Sequence, residues 1–165
     1  MGERPRVSIE KNILQKWFDV AGLTFLFLCF VYVILEWSGL PNRVPIHFNA
    51  TGVADNWGGK AALLALPIVG VIIWSGLSIL ERFPHVYNYV VKITEGNAAL
   101  QYRSAVTLIH FLKNTIAILF AYLTIETVSI ANGAQEGLTP WILPIFLTVI
   151  FGSILFYIVH SVRWR

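Results

Sequence analysis

Four long stretches almost free of charge limit what this chain can become. Residues 20–35 are uncharged and reach the length of a membrane span when 17–19 and 36–40 are added, and residues 61–80 carry no charge at all. Residues 112–131 are interrupted only by Lys113 and Glu126, and in residues 138–162 the one titratable cation is His160. A hydrocarbon layer of about 30 Å is crossed by roughly 20 helical residues. The four runs therefore predict an all-α membrane protein with spans at about 17–40, 61–80, 106–131 and 138–162. A composition of 56% hydrophobic and 13% charged residues is too apolar for an ordinary soluble domain, and 165 residues suit one membrane domain, 1–165.

The first run has a basic flank (Arg4, Arg6, Lys11, Lys16), as a signal peptide would. It is long, ends at Glu36-Trp37-Ser38 and lacks a small-x-small cleavage pattern, so it is expected to remain as a helix. Ten of the twelve Lys and Arg residues fall before the first run, in the segment from Glu81 to Lys113, or after the fourth run, and only Arg43 and Lys60 lie in the other two connections. The positive-inside rule then predicts both termini in the cytoplasm, an outer loop at 41–60 and a cytoplasmic connection at 81–105. Trp37, Trp57 and Trp141 fall at the predicted outer boundary and Trp17 and Trp164 at the inner one, as interfacial tryptophans do. The net charge of +3 is thus spent on topology, and nucleic acid is not an expected partner. Cys29 is the single cysteine and has no partner for an intrachain disulfide.

Between the third and fourth runs the connection is very short, which predicts an antiparallel helical hairpin. The cytoplasmic connection opens irregularly around Pro84, Tyr87 and Tyr89 and turns helical near Thr94, the predicted N-cap of the third helix. Within that helix Thr115, Tyr122, Glu126 and Ser129 share one face, while Ala117 and Ala121 form a small-xxx-small pair for close helix approach. Pro67 and Pro144 are expected to bend the second and fourth helices.

The outer loop is densely specified. Alternation in residues 44–48 predicts Val44, Ile46 and Phe48 facing inward with Pro45 and His47 outward, then a turn at 49–52 with Gly52 at positive φ and a second turn at 55–59. The expected product is a small folded cap. Glu126, about five residues from the outer end of its span, needs a partner, water or a proton; Glu36 lies at similar depth, and Glu126 is expected to face Glu36 or the cap. His47, Asn49, Asp55, Trp57, Glu36 and Glu126 are the candidate ligand-binding residues. His47 with Glu36, Asp55 and Glu126 would suit a metal by donor type, but no His pair has ligand spacing, and no metal or cofactor is expected. No nucleophile with a base is evident, and residues 58–60 (GGK) lack the remainder of a phosphate loop, so an enzyme is not expected.

The segment LPNRVPIHFNATGVADNWGGK (40–60) resembles the membrane domain of unknown function at the N-terminus of bacterial SdpI-type immunity proteins, matching at Pro41, Val44, Pro45, His47, Phe48, Asn49, Gly52, Asp55, Trp57, Gly58 and Lys60. A second match lies in FPHVYNYVVKITEGNAALQYR (83–103), at Asn88, Tyr89, Ile93, Thr94, Asn97 and Tyr102. The resemblance does not extend to the further C-terminal membrane half of those proteins. It implies a sensor or immunity module in the bacterial inner membrane that recognises an extracytoplasmic peptide or lipid. The alternatives are an accessory subunit packed against other membrane protein subunits and an ion- or metal-dependent transporter.

Overall fold

The computed structural model describes residues 4–165. The chain is mostly helical, and four helices are long and apolar enough to cross a membrane. The order is α1 (Ile13–Glu36), β1 (Arg43–Phe48), β2 (Ala54–Gly59), a 3-10 segment (Lys60–Leu64) running into α2 (Ala65–Leu80), a 3-10 turn (Pro84–Val86), α3 (Ala98–Ala131) and α4 (Ile142–Arg163). α3 is the central post. It packs against α1, α2 and α4, while α1 and α2 share few contacts with each other. Ala117 and Ala121, both fully buried, meet Leu26 and Cys29 of α1, with Trp74 alongside. The absence of larger side chains there lets the two backbones approach.

α1 begins at Ile13 because Asn12 builds a capping box: its side chain accepts from the Gln15 amide, and the Gln15 side chain accepts from the Asn12 amide. α3 departs from its predicted start. Asn97, not Thr94, is the N-cap residue, and the Asn97 Oδ1 accepts from the Thr94 N–H at 2.9 Å. The Thr94 carbonyl accepts from Asn97 and Ala98, so 94–97 closes as a turn ahead of the helix. Pro67 and Pro144 are each the third residue of their helix. In the first turn of α4 the amide lost to proline lacks an intrahelical partner anyway, so Pro144 gives no cause for a bend, whereas Pro67 lies inside the continuous helical stretch Lys60–Leu80, just past its change from 3-10 to α.

The loop between α1 and α2 is an antiparallel hairpin. Residues 55–59 form strand rather than the expected second turn, with Arg43 opposite Gly59, Val44 opposite Gly58 and Phe48 opposite Ala54. The register shifts between Pro45 and His47 and again between His47 and Phe48. These irregularities break the two-residue alternation: Val44 is buried as expected, but Pro45 is buried and Ile46 is 47% exposed, the reverse of their expected faces. Val44 inserts among Val33, Leu40, Leu63 and Val128, fixing the hairpin to the bundle. Gly52 has φ +82°, as its turn requires. Its carbonyl accepts from Leu138 N–H at 2.9 Å, and Val53 pairs with Gly137, so the hairpin tip is stitched to the α3–α4 connection.

Candidate functional site

The six candidate residues of the hairpin end do not converge on one point. His47 and Asp55 pair with each other through Nδ1 and Oδ1 on exposed strand positions. The Asn49 side chain accepts from the Thr51 amide and hydroxyl and from the Val53 amide, which makes it the organiser of the hairpin tip. Trp57 is exposed, and its carbonyl accepts from Arg43. Glu36 accepts from the Asn132 side chain at 2.9 Å. Glu126 directs its hydrogen bonds neither to Glu36 nor to the hairpin. It accepts from the Thr139 N–H at 2.7 Å, the Thr139 hydroxyl at 2.6 Å and the Tyr122 hydroxyl at 2.9 Å, clamping the α3–α4 connection. His47, Asp55, Glu36 and Glu126 are thus spread over separate bonds and do not form a common donor set.

A cavity of about 420 Å³ lies beneath the hairpin. Pro45, Ile46 and Phe48 roof it, Leu66 and Leu123 form its walls, and Leu143 closes the α4 side. His47 also borders it, placing the His47–Asp55 pair at the polar edge of an apolar space.

The opposite end holds a feature that reading spans as apolar runs had missed. Lys113 is fully buried, and its Nζ lies 2.9 Å from Asp19 Oδ1, 3.0 Å from Glu81 Oε1 and 2.8 Å from Ser78 Oγ. Lys11, arriving from the segment before α1, bridges the same two acids at 2.6 and 2.8 Å. Two lysines therefore balance two carboxylates, as burial of charge demands. Around them His110 Nδ1 donates to Glu81 Oε1 at 3.2 Å, Asn114 donates to Asp19 at 2.9 Å, and the Trp74 indole donates to Asn114 at 2.8 Å. The Lys113 ammonium also sits 4.4 Å from the Trp74 ring centre. Gly22 makes room, since a Cβ there would overlap the Asn114 carboxamide. Burial pushes the Glu81 carboxyl up, but hydrogen bonds from His110, Lys11 and Lys113 outweigh it and hold it below the ordinary value. For Lys11 burial acts downward, and its bonds to Asp19 and Glu81 leave it above the ordinary lysine value. One sequence signal could have found this cluster. Asp19, His110 and Lys113 are ionisable residues set within or beside apolar runs, and such residues turn inward in pairs.

The second motif forms the floor beside this cluster. The Tyr89 ring lies 6.1 Å from Tyr87 and 5.5 Å from the fully buried Tyr102, and the Arg4 guanidinium covers Tyr89 at 5.7 Å. The Tyr87 and Tyr89 hydroxyls donate to the carbonyls of Leu80 and Pro84, and Asn97 donates to the Lys92 carbonyl. Thr94 and Asn97 shape the turn before α3, and Asn88 is exposed beside Tyr87. These residues fold the connection upon itself.

Residues 24–71, which span the second half of α1, the hairpin and the start of α2, match the family described as "Domain of unknown function (DUF1648)". An uncharacterized protein of Archaeoglobus fulgidus is 33% identical over 69 residues, covering 37% of this chain and 38% of that protein's length. No solved structure matches the chain.

Proposed function

We propose that the chain is an SdpI-like recognition module of the bacterial inner membrane, acting by binding rather than catalysis. In this reading both termini are cytoplasmic and the hairpin faces outward, holding an apolar portion of an extracytoplasmic peptide or lipid in the cavity beneath it. The observation that carries the reading is the cavity, whose volume of about 420 Å³ falls in the range of small-ligand sites and whose mainly apolar walls are bordered by His47, itself paired with Asp55, and by Thr124 and Thr127, whose hydroxyls bond main-chain carbonyls of α3. The lysine and arginine asymmetry supports the orientation. A module of this kind would protect the membrane from an exported toxic peptide by sequestering it.

Two measurements test it. In a Cys29→Ser background, cysteines placed at Thr51 and Gln135 should react with an impermeant thiol reagent in intact cells and one at Lys92 should not; the reverse pattern refutes the orientation. Leu123→Trp, which fills the cavity, should abolish protection of cells against an exported membrane-active peptide while leaving the melting temperature near that of the wild type. Undiminished protection by a well-folded Leu123→Trp protein would refute the binding reading.

A second reading, an accessory subunit of a larger membrane complex, is favoured by α4. That helix packs on α3, and Ser161 is its one buried residue. Purification from native membranes in a mild detergent as a discrete complex of defined stoichiometry would support it.

A further inference from the structure

α4 packs along α3 and is joined to it by polar contacts near both ends. At one end Thr139, just ahead of α4, bonds Glu126. At the other, the buried Gln101 donates to the carbonyls of Ser161 and Trp164, and the Ser161 hydroxyl donates back to the Gln101 Oε1 at 2.6 Å. Between these anchors, on the half farther from the hairpin, lies a groove of about 350 Å³. Its lining is graded along the helix axes. Arg103, Ser104, Thr107 and His160 occupy the end near the chain termini, and Leu108, Phe111 and Phe156 lie deeper, with Ser153, whose hydroxyl is spent on the Ile150 carbonyl at 2.7 Å. From Arg103 to Phe111 is eight residues of helix, about 12 Å.

We propose that this groove binds an anionic membrane lipid, with its phosphate at Arg103 and an acyl or isoprenoid chain along Phe111 and Phe156. Charge complementarity selects the occupant. No acidic residue lines the groove, and none of the ion pairs among the described residues involves Arg103, whose planar fork of donors suits a phosphate. The hydroxyls of Ser104 and Thr107 add donors beside it, and the imidazole of His160 lies 3.4 Å from Ser104 Oγ. The direction of the gradient is that of a lipid in a bilayer, polar at the helix ends and apolar inward, and basic pockets between spanning helices are a recurrent solution for anionic headgroups. A soluble anion would use the basic end and leave the aromatic walls without a role. This site is separate from the cavity beneath the hairpin.

The test uses the full chain in nanodiscs of phosphatidylcholine with and without phosphatidylglycerol, read by thermal unfolding. Phosphatidylglycerol should raise the melting temperature by about 3 °C. Arg103→Gln should lose most of that increment while melting normally in phosphatidylcholine, and Arg103→Lys should keep part of it. Arg82→Gln, which removes a charge at the same end but outside the groove, should retain it in full. The proposal fails if Arg103→Gln keeps the whole increment, if Arg82→Gln loses as much, or if inorganic phosphate added to phosphatidylcholine discs reproduces the effect. Should Arg103→Gln not fold, full retention of the increment by Arg103→Lys together with its loss in Arg82→Gln overturns the proposal, and the opposite pair of results sustains it.

Discussion

The main-chain N–H of Thr139 donates to Glu126 Oε2 at 2.7 Å, so a carboxyl group within α3 holds the connection on which the hairpin tip rests. The chain of support continues from Thr139 to its neighbour Leu138, whose N–H bonds the Gly52 carbonyl at 2.9 Å. A side chain placed to act as a charge in a ligand site is, by its contacts, an acceptor for three donors.

Glu126→Gln should therefore be destabilising, although it preserves shape. The amide can keep its oxygen on the Thr139 N–H, but its NH₂ then faces the Thr139 and Tyr122 hydroxyls, which must turn from donors to acceptors, and the strength that the charged acceptor gave all three bonds is lost. The expected loss is about 1–3 kcal/mol, measured as reduced thermal or denaturant stability in detergent. A variant as stable as the wild type would mean that the three bonds contribute nothing net.

Lys113→Met should be among the most damaging single substitutions. It removes one of two cations facing Asp19 and Glu81 and leaves a buried negative charge poorly compensated, at a cost of about 3–5 kcal/mol. Combining it with Glu81→Gln restores the balance with Lys11 and Asp19, so the double variant should be more stable than Lys113→Met alone. Additive losses in the double variant would contradict the coupling.

Stability should fall at both extremes of pH, for opposite reasons. Glu81 is held below its ordinary value of 4.5, so its contribution is present above that pH and is lost as acid protonates the folded carboxyl. Lys11 is held above its ordinary value of 10.5, so its contribution is present below that pH and disappears as base titrates the folded amine. The alkaline arm should be the shallower and more salt-sensitive, because Lys11 is partly exposed. Unfolding profiles against pH should show the acid arm flattened in Glu81→Gln; an unchanged arm would assign it to other carboxyls.

Gly52→Val and His47→Ala should separate folding from surface chemistry. At φ +82° a β-branched residue is strained, and a Cβ would approach the Leu138 carbonyl oxygen to 3.0 Å. A loss above about 1 kcal/mol is expected. His47 is exposed and bonds within the hairpin, so His47→Ala should stay within about 0.5 kcal/mol of the wild type. A strongly destabilised His47→Ala protein would show that the His47–Asp55 pair holds the hairpin together.

Some of this architecture was written in the sequence because its cause is local. Runs of about twenty apolar residues determine helices of spanning length, Gly52 marks a backbone that only glycine takes easily, and alanines four apart mark a seam for close packing. Positions whose environment depends on a distant segment were not legible. Ile46 and Pro45 exchanged their expected faces because the register of β1 is set by irregular pairing with β2, and 55–59 became strand because Arg43 and Val44 lie opposite Gly59 and Gly58. Glu126 found Thr139 rather than Glu36, since both are brought to it by how the helices return, not by spacing along one helix. The cluster of Lys11, Asp19, Glu81, His110 and Lys113 is the strongest case: five residues from four parts of the chain, each alone resembling a topology marker or a helix end. Burial forced them together, because a charge such as that of Lys113, enclosed by α1, α2 and α3, is cut off from water and is stable only beside its opposite.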